Sequence, residues 1–202
     1  MSPNWVPFDV ADADPDPLAQ FATWFAEGAA HLFEPSAVAL ATADEQGQPS
    51  VRMVLLRHHG DGTFGWYTNY DGAKGHDLAV NPTAALLWYC EPLGRQIRVE
   101  GEVRVAPAAQ SDAYFAARPR GHQLGAHASA QSQPIASRDE LAARVAAADA
   151  RFPGEVPRPA NWGGYLLTPT QFEFWQHRSD RLHDRVVYQR DGDAWRRERW
   201  MP

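Results

Sequence analysis

The chain has 202 residues, 44% hydrophobic and 22% charged, enough for one well-packed soluble core or at most two small ones. A formal net charge of −6 argues against general nucleic-acid binding, which needs a clustered basic surface. The single cysteine, Cys90, excludes an intrachain disulfide and a thiolate metal cluster, and its apolar setting reads as a buried small hydrophobe.

No apolar run approaches the ~20 residues that a membrane helix requires, and the N-terminus lacks a signal pattern. A soluble cytoplasmic protein without membrane contacts is expected. The charge is unevenly distributed. Residues 1–50 hold eight acids and no lysine or arginine, whereas residues 173–202 hold seven arginines against six acids. Cations are concentrated where a local anion could use them.

Residues 1–17, rich in proline and aspartate and without periodicity, are expected to form a flexible, acidic, loosely docked arm, with residues 18–202 as a single domain. A helix follows from Leu18, with Asp16 as N-cap, Pro17 in the first turn, and Phe21, Trp24 and Phe25 on one stripe. Residues 37–43 and 50–58 read as strands joined by the Asp44-Glu45-Gln46-Gly47 turn. On the second, Val51, Met53 and Leu55 share one face and Arg52, Val54 and Leu56 the other. After Asp61-Gly62 a third strand covers 63–68, and a short helix covers 74–80.

Residues 83–89, 96–100 and 101–105 read as three more strands, with bends at Gly94 and Gly101. Alanine-rich helices are expected at 108–117 and 138–152, the second capped by Ser137 and Glu140. Between them, residues 118–134 read as a long polar loop, the kind that carries function. Residues 162–167, 172–177, 182–190 and 194–200 close the chain as strands, with Asp191-Gly192-Asp193 turning the last hairpin. The expected class is mainly β (α+β), an antiparallel barrel with peripheral helices.

Three regions concentrate cations. Arg52 and Arg57 bracket a strand, and Thr68 precedes a glycine turn with Lys74 at a helix N-terminus, a ready phosphate site. Arg118 and Arg120 lie near Tyr114, a composition suited to a second anion. Finally Arg181, His183 and Arg185 alternate, so an extended chain would project all three from one face. Locally, each of these also fits solvated surface arginines held by acid pairs. No metal-ligand spacing, Walker loop or dinucleotide glycine pattern is present, so no metal site is expected.

In combination, Arg52-Met53-Val54-Leu55-Leu56-Arg57, Tyr67-Thr68-Asn69, Arg95-Gln96, Arg118-Pro119-Arg120, Gln131-Ser132 and Phe174-Trp175-Gln176 with Arg181-Leu182-His183-Asp184-Arg185 occur in an order that resembles the pyridoxamine 5′-phosphate oxidase family. The resemblance runs from Pro15 to Pro202. It implies an FMN-binding split β-barrel with peripheral helices, forming a homodimer with FMN at the interface. It also implies oxidation of pyridoxine or pyridoxamine 5′-phosphate to pyridoxal 5′-phosphate, with hydride passing to the flavin and O2 as acceptor.

By the same resemblance, Arg52, Thr68 and Lys74 would hold the FMN phosphate, with Gln131 and Ser132 arriving from the second subunit. Met53, Val54, Leu55, Leu56, Arg57, Tyr67, Gln96, Trp175 and Arg185 would line the rest of the flavin site. Arg57, Tyr114, Arg118 and His122 would grip the substrate phosphate. Arg181, Leu182 and His183 would lie over the pyridine ring, with Arg181 and His183 as the catalytic pair. The chain departs from the family pattern at Arg57, usually lysine; at Gly72-Ala73-Lys74, often Ser-Arg-Lys; at His122, commonly serine; and in lacking an N-terminal Arg-x-x-Tyr element. Alternatives are a related flavin oxidase of another ring, such as a dihydrophenazine-type intermediate, or a non-catalytic flavin- or haem-binding split barrel.

Overall fold

The computed structural model describes residues 5–202. In chain order the elements are α1 (Pro17–Ala29), β1 (Ala37–Ala43), β2 (Pro49–Leu55), β3 (Phe64–Asn69), α2 (Ala73–Val80), β4 (Thr83–Cys90) and β5 (Arg95–Val105). They continue with α3 (Ala108–Ala116), α4 (Arg120–Ala128), α5 (Arg138–Arg151), β6 (Trp162–Gln176), β7 (Asp184–Asp191) and β8 (Ala194–Arg199). Among the described residues no helix is long and apolar enough to cross a membrane.

All strand pairings are antiparallel, in the order β2-β1-β4-β5-β6-β7-β8. The fifteen-residue β6 organises the sheet. One of its edges pairs with β5 along most of its length. The other edge is divided, residues 162–167 pairing with β3 and residues 171–176 with β7. That shared edge splits the barrel. Phe64, Trp66, Trp88, Ile97, Phe172, Phe174 and Tyr188 fill its interior, with Cys90 among them. A second cluster, built on Phe115, Leu124, Ala148, Val156 and Trp162, fastens the helices α3–α5 to the start of β6.

Local signals set several elements as expected. Asp16 Oδ1 accepts from Leu18 N at the start of α1, and Ser137 Oγ accepts from Glu140 N at the start of α5. Gly47 and Gly192 take positive φ in their turns.

Four expectations are corrected. First, β5 and β6 are each continuous where two strands were expected. The register shifts between Glu100 and Gly101, and a Cβ on Gly101 would sit 2.1 Å from the Thr168 carbonyl oxygen. Glycine lets the chain bend there without leaving the sheet. Second, the expected loop 118–134 contains α4, whose buried Leu124 and Ala128 form an i, i+4 stripe too narrow to stand out in a polar segment. Third, the expected strand from 182 begins only at Asp184. A 3-10 turn over Ser179–Arg181, with Asp180 and Arg181 at φ 58° and 62°, precedes it. Arg181, His183 and Arg185 therefore do not share the face of one strand.

Fourth, the described part of the N-terminal segment packs closely on the barrel where a loosely docked arm was expected. Phe8 is buried between Trp24 and Phe174, and its amide donates to Asp184 Oδ2 at 3.1 Å. Tyr188 Oη donates to the Asp14 carbonyl oxygen at 2.6 Å, and Arg197 donates to that of Ala13. Burying one phenylalanine contributes about 2 kcal/mol, roughly the cost of ordering one or two residues, so the hydrogen bonds to Asp184, Tyr188 and Arg197 hold the segment together with it. The part of the arm before Trp5 lies outside the described residues.

Candidate functional site

The first cationic region converges as the sequence implies. Lys74, in the first turn of α2, is buried, and its Nζ donates to Thr68 Oγ1 at 3.2 Å and Gln131 Oε1 at 2.8 Å. Thr68 Oγ1 also donates to Gln131 Oε1 at 3.0 Å. Arg52 reaches the same corner, donating to Thr42 Oγ1 at 2.6 Å and lying 3.6 Å from Asp77. Burial, with Arg52's charge adding to it and Asp77 opposing, lowers the Lys74 pKa.

Two cations against one acid, at a helix N-terminus without a side-chain cap, leave a net positive cradle made for an anion. Gly72 makes room for the Gln131 side chain, because a Cβ there would meet Gln131 Oε1 at 2.5 Å. Ser132 Oγ accepts from Ala73 N at 3.2 Å, placing a hydroxyl beside the Gly72-Ala73-Lys74 segment that lacks its own. Gln131 and Ser132 thus reach this corner within the chain.

The second region opens beside it. A cleft of about 480 Å³ is lined by Leu55, Arg118, His122, Gln131 and Trp162, among others. Residues expected at the flavin, Leu55 and Gln131, thereby share a cavity with two expected at the substrate phosphate. Arg118 Nη1 is buried and has no hydrogen-bond partner among the described residues. Burial lowers the pKa of its guanidinium, with Tyr114 opposing. Tyr114 stacks on Tyr67, ring centroids 3.8 Å apart and 8° from parallel. Met53 is exposed on the outer face of β2, and Val54 packs inward against the barrel core.

The third region lies at the other end of β6. Gln96, Trp175 and Arg185 are opposed across β5, β6 and β7. The His183 ring packs on Trp175 at 4.5 Å and on His177 at 5.0 Å, and its Nδ1 accepts from Arg178 N at 3.2 Å. That contact assigns the ring hydrogen of neutral His183 to Nε2. Burial, then His177 and Arg181, lower the His183 pKa, with Asp184 opposing. Leu182 is exposed beside it. The two ends are far apart along one chain: Gly163 faces Thr68, and Trp175 follows twelve residues later, about 40 Å of strand path.

Some sequence-predicted residues lie elsewhere. Leu56 is a core residue, its side chain inside the barrel. Arg57 is exposed; Glu34, held low mainly by Ser36, also feels its charge. Arg120 turns away to Asp149 and to the Gly154 and Phe152 carbonyl oxygens, so among the described residues the second anion region has one free guanidinium. Arg178, which reads from sequence as merely solvated, donates to the Trp5 carbonyl oxygen at 3.1 Å and lies 3.5 Å from Asp184.

Sequence reasoning also missed Glu173, Asp184 and Trp162. Buried Glu173 takes both Arg185 and Arg98, and buried Asp184 ties Arg178 and Arg199 to the N-terminal segment. Glu173 has no motif-level signal, because a carboxylate in an alternating strand reads as solvent-facing, and Asp184 lies inside the Arg181–Arg185 motif with no role read for it.

An antiparallel barrel split along its central strand, with an anion cradle at one end and an Arg–His corner at the other, belongs to a recognised class of small-molecule oxidoreductases. Residues 19–152 match the family model described as pyridoxamine 5′-phosphate oxidase, and residues 162–202 match that of the pyridoxine 5′-phosphate oxidase C-terminal dimerisation region. The chain is 53% identical over 192 residues to the pyridoxine/pyridoxamine 5′-phosphate oxidase of Rubrobacter xylanophilus, covering 94% of this chain and 88% of that protein. It is 51% identical over 187 residues to the protein of the same name from Burkholderia orbicola, covering 92% and 87%.

The crystal structure of PhzG from Burkholderia lata 383, in complex with tetrahydrophenazine-1-carboxylic acid, superposes with a TM-score of 0.92 at 30% identity over the full length of both chains. The chain belongs to the pyridoxamine 5′-phosphate oxidase family, whose members are flavoprotein oxidoreductases.

Proposed function

We propose that the protein oxidises pyridoxine or pyridoxamine 5′-phosphate to pyridoxal 5′-phosphate, using FMN and O2. The observation that carries this reading is the pair of cationic sites in one corner: the Lys74 cradle and the unpartnered Arg118 nitrogen, with Gln131 common to both surroundings. Two phosphates, one on the cofactor and one on the substrate, need two such sites.

Lys74, Arg52, Thr68, Gln131 and Ser132 would hold the FMN phosphate, with Met53, Val54, Leu55 and Tyr67 nearby. Arg118, Tyr114 and His122 would take the substrate phosphate. Bound FMN supplies the hydride acceptor and the reactivity toward O2 that yields peroxide. The chain's own contribution is to position and to balance charge.

Because the two ends of β6 are so far apart, Gln96, Trp175, Arg181, Leu182, His183 and Arg185 would complete the site from a second copy. The exposed apolar row Val51, Met53 and Leu55 on edge strand β2 suits such an interface, as does the matched dimerisation region. Arg181 would then face the substrate as a cation. His183, neutral at neutral pH and carrying its hydrogen on Nε2, would donate a hydrogen bond and orient the ring rather than remove a proton.

The test is to load the purified protein with FMN and add pyridoxamine 5′-phosphate without oxygen. The flavin colour should bleach, and admitting air should restore it and release peroxide. A protein that never takes up FMN, or whose flavin stays oxidised, overturns the reading. A second reading, oxidation of a ring carrying a carboxylate, is favoured by the close superposition on PhzG.

A further inference from the structure

Arginines that bind anions are usually steadied by a carboxylate, which fixes the guanidinium but also spends its charge. Arg118 is held differently. Among the described residues no carboxylate forms an ion pair with it. Its guanidinium carbon instead lies 4.6 Å from the Trp162 ring centroid and 5.6 Å from that of Phe115.

The indole is itself firmly set. Tyr67 and Tyr114 run within 11° and 5° of its plane, at centroid distances of 5.7 and 6.2 Å. The Trp162 carbonyl oxygen accepts from Arg158 Nη1 at 2.6 Å, and Arg158 is anchored in turn on Asp112. Three nearly parallel rings thus form a block at the first residue of β6, and Arg118 rests on it. An aromatic face attracts a guanidinium without neutralising it, most strongly when both are desolvated. This arrangement leaves Nη1 buried and charged, without a partner among the described residues, on a side chain that lines the cleft.

We infer that Trp162 is a positioning residue for the substrate anion: its indole holds the Arg118 guanidinium uncompensated at the cleft, and so sets the affinity for a phosphate there. This rests on the assignment of Arg118 to the substrate phosphate. The inference adds a specificity element that acts through Arg118. Affinity for the phosphate should track the quality of the aromatic face, independently of binding to the flavin or the pyridine ring.

The experiment compares FMN-loaded wild type with Trp162→Phe, Trp162→Leu and Arg118→Ala. KM for pyridoxamine 5′-phosphate should rise severalfold in Trp162→Phe and about tenfold in Trp162→Leu, with kcat unchanged. Inhibition by inorganic phosphate should weaken in parallel. Inhibition by phosphate-free pyridoxamine, and the affinity for FMN, should stay as in wild type.

An unchanged KM, or equal weakening of phosphate and pyridoxamine, overturns the inference, the second outcome marking a packing defect instead. If Trp162→Leu does not fold, Trp162→Phe keeps a ring of similar placement and decides alone. If wild type does not turn over pyridoxamine 5′-phosphate, the proposed activity fails. Inorganic phosphate binding then tests Trp162 by itself, and must weaken in Trp162→Leu as it does in Arg118→Ala.

Discussion

Glu173 grips Arg185 through both carboxylate oxygens, Nε on Oε1 at 2.7 Å and Nη2 on Oε2 at 3.0 Å, while Arg98 Nη1 shares Oε2 at 3.0 Å. One buried carboxylate takes both guanidiniums, with Glu100 also paired to Arg98, and points Arg185 in one direction, beside Trp175. The Glu173 hydrogen bonds are also the main reason that the Arg185 pKa is raised. Glu173→Gln keeps the shape and removes the charge. The two arginines keep some solvent, which screens them, so the expected loss is about 1–3 kcal/mol, read as a shifted urea midpoint. FMN affinity should fall with it, because Arg185 loses its fixed direction.

Lys74→Ala should act on the cofactor first. A buried charge-assisted contact to a phosphate is lost, so the dissociation constant for FMN should rise about ten- to a hundredfold. Quenching of flavin fluorescence on titration measures it. Unchanged FMN affinity would mean that the cradle around Thr68 and Gln131 serves another anion.

Arg181→Ala should act on turnover instead. Arg181 sits on a strained turn at φ 62°, makes no ion pair among the described residues, and lies beside His183. Its removal should lower kcat/KM for pyridoxamine 5′-phosphate about a hundredfold, by loss of orientation, with FMN still bound. Release of FMN by this variant would reverse the division of roles between Arg181 and Lys74.

Alkaline stability should be set by two buried phenols. Burial raises Tyr165 and Tyr188 to about 12, against an ordinary value of 10.0. The folded state holds these protons more tightly than the unfolded chain. Their contribution is therefore complete below pH 10.0 and is lost as pH rises toward about 12. Tyr188 also donates to the Asp14 carbonyl oxygen, so its ionisation should release the N-terminal segment. Denaturant midpoints followed across this range, with the phenolate absorbance in parallel, check both points.

Elements with strong local chemistry were legible from the sequence. The Asp16-Pro17 start of α1, the Ser137–Glu140 cap of α5 and the turns at Gly47 and Gly192 each need only a few neighbouring residues. The continuity of β5 and β6 was hidden because Gly101 and Pro169 look like breaks, and only their pairing across the bulge shows that they are one device. Phe8 finds its place through Asp184, 176 residues away, which no local pattern reveals. Lys74, Thr68, Gln131 and Ser132, which the motif order groups at one phosphate, lie together in the fold. Glu173 was missed because both faces of β6 are buried there, so its alternation with Phe172 and Phe174 says nothing about solvent.

The most direct test sets the phosphorylated pyridine against the ring acid. FMN-loaded protein is given pyridoxamine 5′-phosphate or tetrahydrophenazine-1-carboxylic acid in air, and peroxide is followed for both. The account predicts sustained peroxide and pyridoxal 5′-phosphate from the first, abolished selectivity for it in Arg118→Ala, and little turnover of the second. Turnover of the ring acid with none of pyridoxamine 5′-phosphate would contradict it.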